Sequence, residues 1–252
     1  MLCLSAYLPA LEAQTTLEPA THACALKRGV VPYAPLREAD VIWERRVWRE
    51  IDLRDPVNRP FGGSLLDPDP CNGLMGVIAH GALDEGGITV YDPGPRHADD
   101  GFRRPFSRAE VANLLIQTDE VDERRIGRFL LKEDWVFDKS RSVMEVRIIG
   151  IAPMLEVRGE DGELRGHRPL LWLYYPECRL LFARWRSAGD RNEPALSFEE
   201  LIGQRRFTST IVKVGNGAER AINGYRTRLD ALLESEAIRD QVINTGFDLW
   251  NY

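Results

Sequence analysis

The sequence predicts an α+β fold, with two related (pseudo-duplicated) α/β halves and a C-terminal helical segment. Three observations support this: alternating strand-like stretches, apolar residues at helical spacing, and two Ser-x-x-Glu signals for helix starts. With 252 residues and 44% hydrophobic content, the chain can bury a substantial core. We place the first half at 38–131, the second at 132–215 and the helical segment at 216–252.

The first half opens with a strand in which Val47 and Ile51 alternate with Trp48 and Asp52, up to a stop at Asp55-Pro56. The following NGLMGVIAHGALDEGG has the apolar spacing of a helix and runs into ITVYDP, which is typical of a strand. Ser107 with Glu110 then forms a capping box, in which two side chains satisfy backbone donors at a helix start.

The second half opens with KEDWVFDKSRSVMEVRIIGIAP at 132–153, where acids surround aromatics before a Ser-Arg-Ser segment and a strand. The next two segments, PLLWLYYP and ECRLLFARWR, are predicted as a strand and a short helix. Ser197 with Glu200 repeats the capping-box signal.

These two series of elements predict an internal duplication. Asp40, the apolar-aromatic residues after it and Glu44 align with Asp134, Trp135 to Phe137 and Asp138, at an offset of about ninety residues. In the second copy, two extra residues within Ser140-Arg141-Ser142 precede the strand.

The two ends of the chain differ from this core. Residues 1–14 are predicted to be a truncated signal peptide, because a short apolar run ends in a small-residue pattern without a basic start. Residues 15–37 contain three prolines and are predicted to be an extended arm. In the tail, Ile222, Tyr225 and Leu229 follow helical spacing.

Four cysteines are present, of which Cys3 would leave with the signal peptide. The remaining Cys24, Cys71 and Cys178 allow one intrachain bridge and one free or interchain thiol in an oxidising compartment. Their spacing does not determine which of them pair.

Composition and motifs exclude several classes of function. The net charge of −6 and the lack of a basic cluster argue against nucleic-acid binding. The four histidines are scattered without metal-ligand spacing, and phosphate-loop, dinucleotide and nucleophile-elbow motifs are missing from the sequence. We therefore expect no cofactor, no metal site and no catalytic residue.

A periplasmic hydrolase remains the alternative function, with paired carboxylates chosen among Glu50, Asp52, Asp134 and Asp138. However, basic residues accompany most of these acids along the sequence, which is typical of cross-strand pairing on a sheet. A small-molecule binding module would need a deep apolar pocket, which sequence alone does not reveal.

Aromatic residues and arginine supply the candidate interface, since Trp, Tyr and Arg dominate interface hot spots. The candidates are Trp48, Trp135, Arg141, Trp250 and Tyr252. For the strand tryptophans, however, burial in the core is the default expectation, and for Trp250 the sequence favours docking in the core over an anchor for a partner.

Several long strings resemble one known family. They are DVIWERRVWREIDLRDPVNRPFG, the 132–153 segment, WLYYPECR, LSFEEL followed by RRFTSTIVK, and ESEAIRDQVINTGFDLWNY, in the family's order over most of residues 38–252. They are similar to the N component of the type IX secretion and gliding-motility machinery, the GldN/PorN type. That resemblance implies a non-catalytic periplasmic subunit at the inner face of the outer membrane.

The resemblance also implies partners. They are a K-type outer-membrane lipoprotein of the same secretion system, further copies of the chain in a ring, and the periplasmic domains of the inner-membrane motor components. The stretch SLLDPDPCNGLMG departs from what we expect of the family.

Overall fold

The computed structural model describes residues 24–26, 29–62, 71, 73–119, 126–187 and 196–215, with single helical positions between 233 and 244. Within these residues the α-helices are α1 (Leu74–His80), α2 (Arg108–Asp119), α3 (Tyr175–Arg184) and α4 (Phe198–Gly203). The strands are β1 (Val41–Asp52), β2 (Val90–Tyr91), β3 (Ile126–Asp138), β4 (Val143–Arg158), β5 (Leu164–Pro169), β6 (Trp172–Tyr174) and β7 (Thr210–Val214). This mixture of helices and antiparallel strands confirms the α+β class.

All seven strands form one antiparallel sheet in the order β2-β6-β4-β3-β1-β7, with β5 pairing beside β4. The long β3 lies at its centre, between β1 and β4. Its register places Glu133 opposite Val47 and Asp134 opposite Arg46. Because facing residues of paired strands lie on the same side of a sheet, this register decides which charges meet.

The structure does not confirm the predicted duplication. Residues 41–48 form one continuous strand, whereas the aligned 134–144 form the end of β3, a turn and the start of β4. In addition, the expected boundary between residues 131 and 132 falls inside β3. The two halves therefore share one sheet, and the similar order of acids and aromatics belongs to two strands that pair with each other.

The main core lies between one face of the sheet and the helices. Ile51, Phe129 and Leu131 from the sheet are less than 1% exposed and belong to the same cluster as Tyr175 and Phe198 from the helices. Alternate residues of β1 and β3 contribute apolar side chains to this core. Successive side chains of a strand point to opposite faces of the sheet, and the helices cover this face. Both predicted capping boxes are present, at Ser107 with Glu110 and at Ser197 with Glu200.

The opposite face carries a smaller aromatic cluster, in which Trp48 and Trp172 are buried and Phe102 packs against them. Asp100, in the same loop as Phe102, accepts the indole N–H of Trp48 at 2.7 Å and pairs with the ammonium of Lys132 at 3.1 Å. Trp48 is only 4% exposed. The structure thus places this candidate interface residue in the interior, because the loop covers its ring.

Gly150 makes this cluster possible, since a Cβ there would lie 2.7 Å from the Phe102 ring and 3.2 Å from Trp172. We expect Gly150→Ala to lower the free energy of unfolding by about 2 kcal/mol, through overpacking. Urea unfolding measures the change. Gly166→Ala on β5 is the matched control, because a Cβ there meets no atom within 4 Å; equal effects of the two substitutions would contradict the packing argument.

The chain ends are described in part. Residues 29–37 of the predicted arm carry no helix or strand, and residues 1–14 lie outside the described residues. In the predicted helical tail, Leu233, Glu236–Ile238, Asp240 and Asn244 are helical, and Ile238 packs against the small cluster of Val47, Ile211 and Val214. Trp250 and Tyr252 lie outside the described residues.

Candidate interaction surfaces

A buried ion cluster surrounds Glu133, whose side chain is 0% exposed. Its carboxylate lies 3.2 Å from the Nε of Arg49 and accepts hydrogen bonds from Arg205 and from the Trp135 indole, both at 2.9 Å. Arg49 also donates to the Ser209 hydroxyl at 2.8 Å. The guanidinium carbons of Arg49 and Arg205 each lie 5.9 Å from the Trp135 ring centroid. These contacts join β1, β3 and the segment after α4. Together they supply the hydrogen-bond donors and positive charge that a buried carboxylate requires.

Arg205 occupies a backbone position that normally takes glycine. It follows α4 with a φ of 54°, where the Arg206 N–H reaches the Leu201 carbonyl and the Arg205 N–H reaches that of Ile202. This is the Schellman pattern of helix ends, in which the left-handed residue is usually glycine because other residues are strained there. The side chain explains the exception, since it reaches Glu133.

This exception predicts an unusual order of stability. Arg205→Gly and Arg205→Ala both remove the contact with Glu133, but only alanine keeps the left-handed strain. We expect the glycine variant to be more stable by about 1 kcal/mol. Thermal or urea unfolding compares the two. The same pair at Arg158 in β4, whose φ is not positive, should show the usual order with alanine at least as stable. An alanine preference at Arg205 would contradict the prediction.

The N-terminal arm is clamped by two arginines. Tyr33 lies between Arg179 and Arg147, whose guanidinium carbons are 4.4 and 5.6 Å from its ring centroid. The same guanidinium groups donate to the arm's backbone, at the carbonyls of Val31 (2.7 Å) and Ala34 (2.5 Å). Burial raises the pKa of the Tyr33 hydroxyl, which takes a backbone hydrogen bond from β4. The arm therefore covers part of the outer edge of β4, as proteins commonly protect edge strands.

A disulfide between Cys24 and Cys71 tethers the start of this arm to the segment before α1. Ala25 next to it forms an isolated antiparallel bridge with Trp185 at the end of α3. Cys178 is a free thiol at 0% exposure, and burial raises its pKa. The sequence left the cysteine pairing open. The structure contains the Cys24–Cys71 bridge, and Cys178 is the free thiol.

Arg141 lies in the turn between β3 and β4. Its Nε donates to Asp138 at 2.6 Å and its Nη2 to Glu145 at 2.5 Å, while Asp138 also accepts from Ser140. Hydrogen bonds from Ser140 and Arg141 lower the pKa of Asp138 to about 2. Since this value lies below the usual value of about 4, the stabilisation is complete above pH 4 and is lost as the pH falls through 2. The side chain of Arg141 remains 37% exposed, so it can also meet a partner.

The four carboxylates of the hydrolase hypothesis each bind arginine instead of forming a catalytic pair. The ion pairs are Glu50 with Arg128, Asp52 with Arg54 and Arg128, Asp134 with Arg46, and Asp138 with Arg141. Burial raises the pKa of Glu50, whereas the hydrogen bond from Arg54 lowers that of Asp52 to about 2.

Strand geometry separates Asp134 and Asp138, which are four residues apart on β3, from each other and from Glu50 and Asp52. Asp134 lies opposite Arg46, four residues along β1 from Glu50, which corresponds to about 13 Å along the strand. Glycosidase carboxylates lie about 5 to 10 Å apart. Glu50 and Asp52 are closer to each other, but Arg128 binds both of them.

The described residues hold no group of three or more His, Cys, Asp or Glu side chains placed to bind a metal ion. Among them, no helix is long and apolar enough to cross a membrane. The Glu133 cluster and the Tyr33 clamp were not predicted from the sequence. The sequence places Glu133 two positions from Trp135, but this spacing does not reveal the cross-strand register.

These features define an α+β sheet protein with a disulfide-tethered arm, whose charged side chains mostly pair with one another in the part that the structure describes. Over residues 36–251, the sequence matches the model of a family described as "Gliding motility associated protein GldN". The chain therefore belongs to the GldN family. A search of curated proteins finds no match. The family is one of gliding motility associated proteins and is not a known enzyme family.

Proposed function

We propose that the chain is a non-catalytic structural subunit of a periplasmic ring in type IX protein secretion and gliding motility. It assembles with a K-type outer-membrane lipoprotein and with copies of itself, and it meets the periplasmic domains of the motor components. Membership of the GldN family over residues 36–251 is the observation that carries this proposal.

The Cys24–Cys71 disulfide supports a periplasmic location. Disulfides persist in oxidising compartments and are rare in the cytoplasm, where thiols are kept reduced. Cys24 packs against the main core, so the bridge fixes the arm where it meets the body of the protein.

The sheet supports assembly, because part of it offers an open edge. β7 pairs with β1 only at residues 47–50, so residues 41–45 have no strand partner on that side among the described residues. Ile42 on this edge is 47% exposed. A ring needs two different surfaces on each copy, and we assign this edge, together with the adjoining turn around Arg141, to one of them.

The pairing of charges supports a non-catalytic role. Catalytic carboxylates need surroundings that shift their pKa towards the reaction. Here hydrogen bonds from Arg54 lower the pKa of Asp52 to about 2, and hydrogen bonds from Ser140 and Arg141 lower that of Asp138 to about 2, which stabilises the ionised forms. Glu50 has a raised pKa, but its carboxylate contacts Arg128 at 2.6 Å.

Co-expression with the K-type lipoprotein, followed by size measurement and electron microscopy, tests the proposal. We expect a large ring-shaped complex that contains both proteins. Arg141→Glu should reduce its yield, whereas Arg158→Glu, at an exposed site on another part of β4, should not. A chain that remains monomeric with the lipoprotein present, and yields no large species, would contradict the proposal.

Removal of residues 248–252 in the same assay tests the tail. Loss of the ring would show that the last five residues are needed for assembly. Unchanged assembly would show that these residues, Trp250 and Tyr252 included, are not needed for the ring.

A further inference from the structure

An open groove of about 390 Å³ lies next to the Glu133 cluster. Its lining includes the apolar residues Val57, Leu201 and Phe207 and the polar residues Arg205, Arg206 and Thr208. Val57 is 54% exposed, although it is a large aliphatic residue. Exposed apolar residues in a groove are typical of a surface that a partner segment covers.

The charges around the groove indicate which kind of peptide segment can bind there. Arg205 points towards Glu133, while the exposed Arg206 makes no ion pair among the described residues. The nearby carboxylate of Asp55 accepts a hydrogen bond from the Thr208 hydroxyl at 2.7 Å. Arg206 is therefore available for an acidic group, and the groove fits a short segment in which apolar or aromatic residues flank a carboxylate.

The chain itself contains such a segment at its end. Residues 247–250 read Phe-Asp-Leu-Trp, which combines one acid with three large apolar residues. The tail and the groove share neighbours: Ile238 and Trp135 both pack against the cluster of Val47, Ile211 and Val214. The guanidinium of Arg205, which lines the groove, lies 5.9 Å from the Trp135 ring centroid. From the helical position Asn244, the three residues to Phe247 can span about 10 Å.

We propose that the groove binds residues 247–250 of the same chain, with Asp248 paired to Arg206 and the apolar side chains covering Val57 and Phe207. This assignment does not depend on ring assembly. It gives the tail a docking site on its own subunit.

Photo-crosslinking of the full-length chain tests this docking. Leu249 is replaced by a benzophenone-bearing amino acid, and mass spectrometry maps the cross-links after irradiation. We expect cross-links to residues 57–60 and 205–208, in a product of monomer size. Arg206→Glu should lower their yield about fivefold, because an exposed ion pair becomes a repulsion.

Two controls make the result specific. Arg103→Glu, at a side chain that is 80% exposed and does not line the groove, should leave the yield unchanged. Combining Arg206→Glu with Asp248→Lys should restore the yield, because the charges are exchanged. Cross-links to other parts of the chain, a yield that Arg206→Glu does not change, or cross-links found only in dimer-sized products would each overturn the proposal.

Discussion

Replacing Glu133 by glutamine is expected to lower the free energy of unfolding by about 3 kcal/mol, since breaking a buried ion pair leaves an uncompensated charge in the interior. The Glu133 carboxylate is 0% exposed and Arg49 is 10% exposed, so water cannot replace the lost partner. The amide of glutamine can still accept the Trp135 indole N–H, which limits the change to the charge. Urea unfolding followed by circular dichroism measures the difference.

Two further variants show whether the loss comes from the buried charge. Glu44→Gln changes an exposed acid on the same sheet and should alter the free energy of unfolding by less than about 0.5 kcal/mol. Arg205→Gln should have a smaller effect than Glu133→Gln, because Arg205 is 34% exposed and Arg49 still compensates Glu133. A Glu133→Gln variant as stable as Glu44→Gln would show that the cluster contributes little.

Local patterns in the sequence were sufficient to predict several elements. The strand from 143 onwards, the helix at ECRLLFARWR and both capping boxes correspond to β4, α3 and the starts of α2 and α4. These features depend on residues within one or two turns of each other, which explains why their spacing is informative. The predicted strand at ITVYDP is reduced to the two residues of β2.

Long-range pairing was not predictable in the same way. The alignment of residues 40–48 with 134–144 treated two segments as copies, but 41–48 pair antiparallel with the strand that contains Asp134. The two similar segments therefore lie in one sheet, and the duplication is not confirmed. Neither the contact of Glu133 with Arg205 nor the position of Tyr33 between two arginines can be inferred without the register, because the partners are 72 or more residues apart.

The disulfide is the second feature expected to have a large effect. Cys24 and Cys71 are 47 residues apart, and the bridge encloses residues 25–37 of the arm and the whole of β1. Closing a loop of this length stabilises the folded state by about 4 kcal/mol, according to the chain-entropy relation. We therefore expect the oxidised protein to unfold at a clearly higher urea concentration than the reduced protein.

Serine substitutions separate this effect from other consequences of reduction. Cys71→Ser and Cys24→Ser should each reproduce the lowered midpoint, and dithiothreitol should not lower it further in either variant. Cys178 does not interfere, because its thiol is buried at 0% exposure and its raised pKa disfavours the reactive thiolate. If dithiothreitol leaves the wild-type midpoint unchanged, the bridge does not hold the arm, and the clamp of Arg147 and Arg179 on Tyr33 must hold it alone.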